Sequence, residues 1–143
     1  GTGPEEQSLK ALANEAGGDV IFTGYVSGER LHRLIGEAKA LVLPSEWYEN
    51  APISILEAYA LGVPVIGTDI GGIPEMIIEG ETGVISRAGD VDDLGRVLGD
   101  VARLSPQARR KMGNVGRVWA GSEFSPQAYR TRTLELYAEL GAL

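Results

Sequence analysis

The chain contains the run Leu41-Val42-Leu43-Pro44-Ser45-Glu46-Trp47-Tyr48-Glu49-Asn50-Ala51-Pro52-Ile53-Ser54-Ile55-Leu56-Glu57-Ala58, continued by Gly62-Val63-Pro64-Val65-Ile66-Gly67-Thr68. Leu41–Leu43 is short, wholly apolar and stops at Pro44-Ser45; Val63–Thr68 repeats the form. Apolar runs without polar alternation are what strands covered on both faces look like. Residues 52–61 between them read as a helix, with Pro52 suited to its first position and Gly62 just past its end. Strand, helix and strand in this order make a βαβ unit, and hence a parallel pair.

The same alternation extends outward. Val20-Ile21-Phe22-Thr23, ending at Gly24, reads as a buried strand, and Gly83-Val84-Ile85-Ser86 as a weaker one. Leu9, Leu12, Ala13 and Ala16 share a helical face that Gly17-Gly18 ends, and Leu31, Leu34, Ile35 and Ala38 make the next stripe. Further helices are expected at 92–104, at 106–120 and from Ser125-Pro126 to about Leu140. The fold class is therefore α/β, a Rossmann-like parallel sheet of about four strands with helices on both faces, in one unit over residues 1–143. Gly1-Thr2-Gly3-Pro4 runs straight into a helix, a turn that in such folds follows a strand. The front of the sheet is thus expected to be incomplete.

Composition narrows the functions. The 143 residues include 20 acidic and 13 basic side chains, a formal net charge of −7. An acidic balance argues against a nucleic-acid or anionic-membrane binder. Without cysteine there is no disulfide frame, thiolate metal site or cysteine nucleophile, and a reducing compartment is allowed. No apolar stretch approaches the length of a membrane span, and the first residues lack the basic and apolar regions of a signal peptide.

The chemistry concentrates in the loop and helix after Leu43, at the carboxyl end of a strand, where open α/β sheets bind ligands. A helix beginning at Pro52 leaves the amides of Ile53 and Ser54 without internal acceptors, and these amides with the helix dipole favour a phosphate. Glu57 follows Ile53 by four residues, about 6 Å along the same face. Its carboxylate is placed to accept from sugar hydroxyls. Glu49 lies in the loop ahead of the helix. Two carboxylates bracketing an anion site suit a ligand with hydroxyls on both sides of its phosphates, as a nucleoside diphosphate sugar has.

These residues resemble the C-terminal half of a family 4 (group 1) retaining glycosyltransferase. Glu49 and Glu57 match that family's Glu-x7-Glu motif, Gly62-Val63-Pro64-Val65 its Gly-x-Pro-Val strand, and Gly71-Gly72-Ile73-Pro74-Glu75 its Gly-Gly-x-x-Glu loop. Val20–Val26 resembles the strand and loop beside the nucleotide base, and Glu81–Ile85 the turn into the last strand. The match covers nearly the whole chain, in order.

The resemblance implies the nucleotide-binding half of a GT-B enzyme. Glu57 would hold the ribose hydroxyls, and Glu49, as the catalytic residue, would contact the donor sugar. Amides around Asn50, Ala51, Pro52, Ile53 and Ser54 would face the diphosphate, and Gly24, Tyr25 and Val26 the base. Neither metal nor other cofactor is implied, since amides and cationic side chains offset the leaving diphosphate. The acceptor, a glycan or lipid-linked sugar in polysaccharide or envelope synthesis, would meet a separate N-terminal domain. The family's diphosphate-gripping arginine and lysine, and two strands inside the sheet, would precede Gly1. The chain alone is then expected to be inactive and to self-associate, and its parent to be cytoplasmic or peripheral to the inner membrane face. Two other functions fit the same residues: a GT-B sugar-nucleotide 2-epimerase, disfavoured by Glu49 and the Gly-Gly-x-x-Glu loop, and a non-catalytic nucleotide-sugar or interaction module.

Plainer readings apply elsewhere. Asp90-Val91-Asp92 spells a metal motif of another transferase fold, but it opens a helix and caps it. His32 lies beside its helix's apolar stripe and reads as solvated. Trp47 and Tyr48 are expected by default to pack within their loop, the alternative being that they line the donor-site rim or an acceptor face, and Gly71-Gly72 either to approach the sugar or to make a tight turn. Arg109, Arg110 and Lys111 read as a solvated face. Gly1-Thr2-Gly3 is only half of a dinucleotide fingerprint.

Overall fold

The structure, a computed structural model, describes residues 2–141. Contacts divide the chain into two compact units, Gly1–Arg33 and Leu34–Leu143.

In the first unit, α1 (Glu6–Ala16) ends where the sequence places its stop: Gly17 takes φ 65° and its amide donates to the Asn14 carbonyl. α2 (Gly28–Gly36) begins near the end of this unit. The expected strand Val20–Thr23 is not one. Its residues carry no ladder, and Val20 and Ile21 are 57% and 85% exposed. An apolar β-branched run becomes a strand only where another strand accepts its backbone bonds, and none among the described residues does so.

The second unit holds a sheet of three parallel strands instead of four, in the order β1 (Leu41–Val42), β2 (Val65–Thr68), β3 (Gly83–Ser86). Leu41 pairs with Val65, which pairs in turn with Gly83. Every residue of β2 is buried. Ile66 faces α4 (Val91–Arg103), where Val97 and Val101 complete a cluster with Val84 and Leu94. Val65 and Gly67 point to the opposite face; a Cβ on Gly67 would lie 2.6 Å from the side chains of Ile73 and Ile77. On that side α3 (Ile53–Ala60) packs against β2, and α5 (Pro106–Glu123) packs against both α3 and β3. Helices thus cover both faces of the sheet, as the apolar runs require.

Tyr59 of α3 anchors this layer. It is fully buried, its hydroxyl donates to the Met76 carbonyl at 3.0 Å, and it shares a hydrogen bond with Thr82 Oγ1 at 2.9 Å. Burial pushes its pKa up to about 12. Trp119 of α5 meets the Tyr59 ring edge-on, with centroids 6.1 Å apart. The approach of α5 depends on glycine. A Cβ at Gly113 would fall 1.8 Å from the Gly62 carbonyl oxygen, and one at Gly116 would fall 2.5 Å from the Tyr59 ring. α6 (Pro126–Glu139) packs against α5. α4, α5 and α6 are capped by Asp90, Ser105 and Ser125, each accepting from the amide three residues on.

Candidate functional site

The site candidates of the second unit lie past the carboxyl ends of β1 and β2. β1 releases the chain at Leu43, whose amide still donates to the Ile66 carbonyl at 2.8 Å. Residues 43–52 then form a loop that leads into α3. Pro52 caps the helix from an extended conformation (φ −66°, ψ 116°), one position ahead of the first-turn placement expected from the sequence. Its ring fixes φ and removes a donor, so the first N–H groups of the helix belong to Ile53 and Ser54. Neither amide has an acceptor among the described residues. Ile55 donates to the Pro52 carbonyl at 3.1 Å, where the helical ladder begins.

One turn into α3, Glu57 is half-buried. Ile55, Ala58 and Tyr59 on the same helix are fully buried and hold α3 against the sheet. Glu49 is half-buried in the loop. Among the described residues neither carboxylate has a hydrogen-bond or ion-pair partner, so both are available to hydroxyl donors. The helix end supplies outward N–H groups and a positive dipole end, with one carboxylate ahead of it and one behind. Such an arrangement can hold an anion flanked by polyols.

The sequence matches the family described as "Glycosyl transferases group 1" over residues 1–119. The chain belongs to the group 1 glycosyl transferases. It is 33% identical, over 98% of its length, to a GDP-mannose-dependent alpha-(1-6)-phosphatidylinositol monomannoside mannosyltransferase of Mycolicibacterium smegmatis, and covers 37% of that protein. Among solved structures it superposes on the sucrose-phosphate synthase of Thermosynechococcus elongatus with a TM-score of 0.80 and 30% identity, over 98% of this chain and 35% of that one. Anabaena HepE in complex with UDP-glucose shares the fold at a TM-score of 0.77 and 18% identity, over 93% of this chain and 36% of that one. The chain thus spans about a third of the length of these relatives. Its α/β layers are those of the C-terminal domain of GT-B glycosyltransferases.

Against this family frame, Asn50, Ala51, Pro52, Ile53, Ser54, Glu49 and Glu57 all fall in one loop–helix segment of the second unit. Gly24, Tyr25 and Val26 belong to the first unit. There Gly24 takes φ 64°, a conformation L side chains rarely adopt, and Tyr25 is 81% exposed.

Trp47 and Tyr48 do not pack within their loop as expected. They are 81% and 87% exposed, and hydrogen bonds, not ring packing, hold the loop. Asp90 caps α4, its Oδ1 accepting from the Asp93 amide at 2.9 Å. His32 is exposed. Of the basic cluster, Arg109 departs from a solvated role: it is half-buried, and its Nη1 donates to the Leu104 carbonyl at 3.0 Å.

The sequence reading missed what Gly71 and Gly72 touch. Their neighbour is the backbone of Tyr48, Glu49 and Asn50, with the Gly72 amide donating to the Glu49 carbonyl at 2.7 Å. Thr68 was missed too; its Oγ1 donates to the Ser45 carbonyl at 2.7 Å. The available signals were a polar residue closing an apolar strand and a glycine pair shortly after it.

Proposed function

We propose that the chain is the donor-binding part of a retaining glycosyltransferase, one that passes a hexosyl group from a nucleoside diphosphate sugar to a glycan or lipid-linked acceptor. The observation that carries this reading is the exit of β1 into α3, where the free amides of Ile53 and Ser54 stand between Glu49 and Glu57. In this reading the amides take the diphosphate, Glu57 accepts from the ribose hydroxyls, and Glu49 faces the donor sugar. As the sugar leaves, charge builds on the diphosphate oxygens, and the outward N–H groups with the helix dipole lower that charge's energy. Glu49 acts on the sugar side of the breaking bond.

The names of the relatives support the substrate class. One relative is called GDP-mannose-dependent and acts on a phosphatidylinositol monomannoside, and the HepE structure holds UDP-glucose. We extend the reading to the cytoplasmic side of a membrane surface, where a lipid-linked acceptor would be met. No helix among the described residues is long and apolar enough to cross a membrane. The free Glu49 carboxylate beside the Gly-Gly-x-x-Glu loop favours a transferase over a 2-epimerase.

Calorimetric titration with GDP-mannose and UDP-glucose tests the reading. Glu57→Ala should weaken binding by about 1.5–3 kcal/mol through lost charge-assisted hydrogen bonds, with folding little changed. Unchanged affinity in that variant would remove the ribose assignment. Absence of binding heat from the unaltered chain would overturn donor binding altogether.

A further inference from the structure

The segment leaving β2 grips the loop leaving β1 at two points. Thr68, the last residue of β2, is 2% exposed and donates from Oγ1 to the Ser45 carbonyl at 2.7 Å. Four residues later the Gly72 amide donates to the Glu49 carbonyl, again at 2.7 Å. Between these anchors the loop is tied to itself. Ser45 Oγ accepts from the Trp47 amide at 3.2 Å, and the Trp47 carbonyl accepts from the Glu49 amide at 2.8 Å. The second anchor admits only glycine. A Cβ on Gly72 would sit 1.9 Å from the Asn50 carbonyl oxygen, and one on Gly71, itself at φ 59°, 2.4 Å from the Glu49 carbonyl oxygen.

We propose that Thr68 and Gly72 are positioning residues that clamp both ends of the Ser45–Glu49 arch, so that Glu49 meets the donor sugar in a single orientation. The proposal rests on the donor-binding reading above. Side-chain packing does not hold the arch, because Trp47 and Tyr48 at its crown are almost fully exposed. Its shape therefore depends on these hydrogen bonds, and losing one anchor frees the carboxylate's approach angle. The nucleotide end is held separately: Ser54 and Glu57 ride on α3, fixed by Ile55, Ala58 and Tyr59 in the core. Loosening the arch should therefore be felt by the sugar and not by the nucleotide.

The test compares affinity for GDP-mannose with affinity for GDP, and UDP-glucose with UDP, on the purified chain. Thr68→Val keeps the side-chain shape and removes the donor. It should lower affinity for the nucleotide sugar about tenfold relative to the free nucleotide, the size expected for one hydrogen-bonded restraint. Thr68→Ser, which restores the hydroxyl, should return the ratio to within about twofold of the starting value. Gly72→Ala should lower the ratio at least as far; where that variant does not fold, the Thr68 pair decides. An unchanged ratio in Thr68→Val, or equal losses for sugar nucleotide and nucleotide, would overturn the clamp while leaving donor binding intact. An unaltered chain that binds neither ligand would overturn the donor-binding reading, and the clamp with it.

Discussion

Val20-Ile21-Phe22-Thr23 and Val65-Ile66-Gly67-Thr68 are nearly the same string, two β-branched residues leading to a threonine, yet they end in opposite environments. Val65, Ile66 and Thr68 are at most 2% exposed, with β1 on one side and β3 on the other. Ile21 is 85% exposed and has no ladder among the described residues. Intrinsic strand preference is if anything higher in the first run, where Phe22 stands in place of Gly67, so it cannot be what makes a strand. Partners do. A central parallel strand satisfies its backbone on both edges and buries side chains on both faces, whereas a lone run gains neither.

Truncating the equivalent isoleucines tests this difference most strongly. Ile66→Ala should destabilise the chain by about 2–5 kcal/mol, through lost transfer energy and the cavity left beside Val97 and Val101. Ile21→Ala should change stability by no more than about 0.5 kcal/mol. Urea unfolding of the two variants, compared at constant m-value, measures both. Equal losses would mean that the first run is as well packed as the second.

A second contrast is set by pH. The Tyr59 hydroxyl is buried between Met76 and Thr82, and burial raises its pKa to about 12. The folded state thus favours neutral tyrosine more than the unfolded chain does, whose tyrosine titrates near 10. The stabilisation is complete below pH 10 and is lost as pH rises through 10 to 12, amounting to about 2 kcal/mol at the upper end. Tyr59→Phe should remove the part of the alkaline stability loss that falls in this window. An alkaline melting profile unchanged by that substitution would place the transition elsewhere.

How far the sequence could be read follows from where the partners of each residue lie. The ends of α1 and α4 were legible because Gly17 and Asp90 act within their own turn of helix. β2 and β3 were legible because a doubly covered strand must be apolar throughout. The Ile53–Glu57 segment was legible because helix geometry places Glu57 relative to the free amides without reference to the rest of the chain. The failures all depend on distant neighbours. Val20–Thr23 looked like a strand, but no ladder partner exists for it among the described residues. Trp47 and Tyr48 looked packed, but the bonds that shape their loop come from its backbone and from β2. Gly72 looked like either a turn or a sugar-side residue, while its amide bonds the Glu49 carbonyl, 23 positions away in sequence and set only by the fold.

Glycine gives a third, smaller contrast, between two helices of the second unit. Gly116→Ala would drive a Cβ to 2.5 Å from the Tyr59 ring and should cost about 1–3 kcal/mol by overpacking. Gly95 of α4 has nothing within 4 Å of its Cβ position, so Gly95→Ala should stabilise by about 0.5–1 kcal/mol through helix propensity. Thermal unfolding of the two variants should shift in opposite directions. A shift of the same sign in both would show that α5 can move away from α3.

The smallest effect concerns helix starts, and it again separates the two units. At α4 the Asp90 carboxylate accepts from the Asp93 amide at 2.9 Å, while the Asp93 carboxylate reaches back to the Arg87 amide at 2.9 Å. That amide bond, with the Arg96 guanidinium, holds the Asp93 pKa below the usual carboxylate value. α1 has no such device: its N-cap, Glu5, makes no capping hydrogen bond from its side chain. Asp90→Ala should therefore cost about 1 kcal/mol, and Glu5→Ala much less. The part due to Asp93 is present at neutral pH and lost as pH falls through its depressed value, because protonation removes the acceptor charge. Stability of the Asp93→Asn variant should accordingly depend less on pH below 5 than that of the unaltered chain. Urea midpoints at pH 7 and pH 3 for the three variants measure both the cap and its titration, and an Asp90→Ala loss no larger than that of Glu5→Ala would mean that α4 starts without help from its cap.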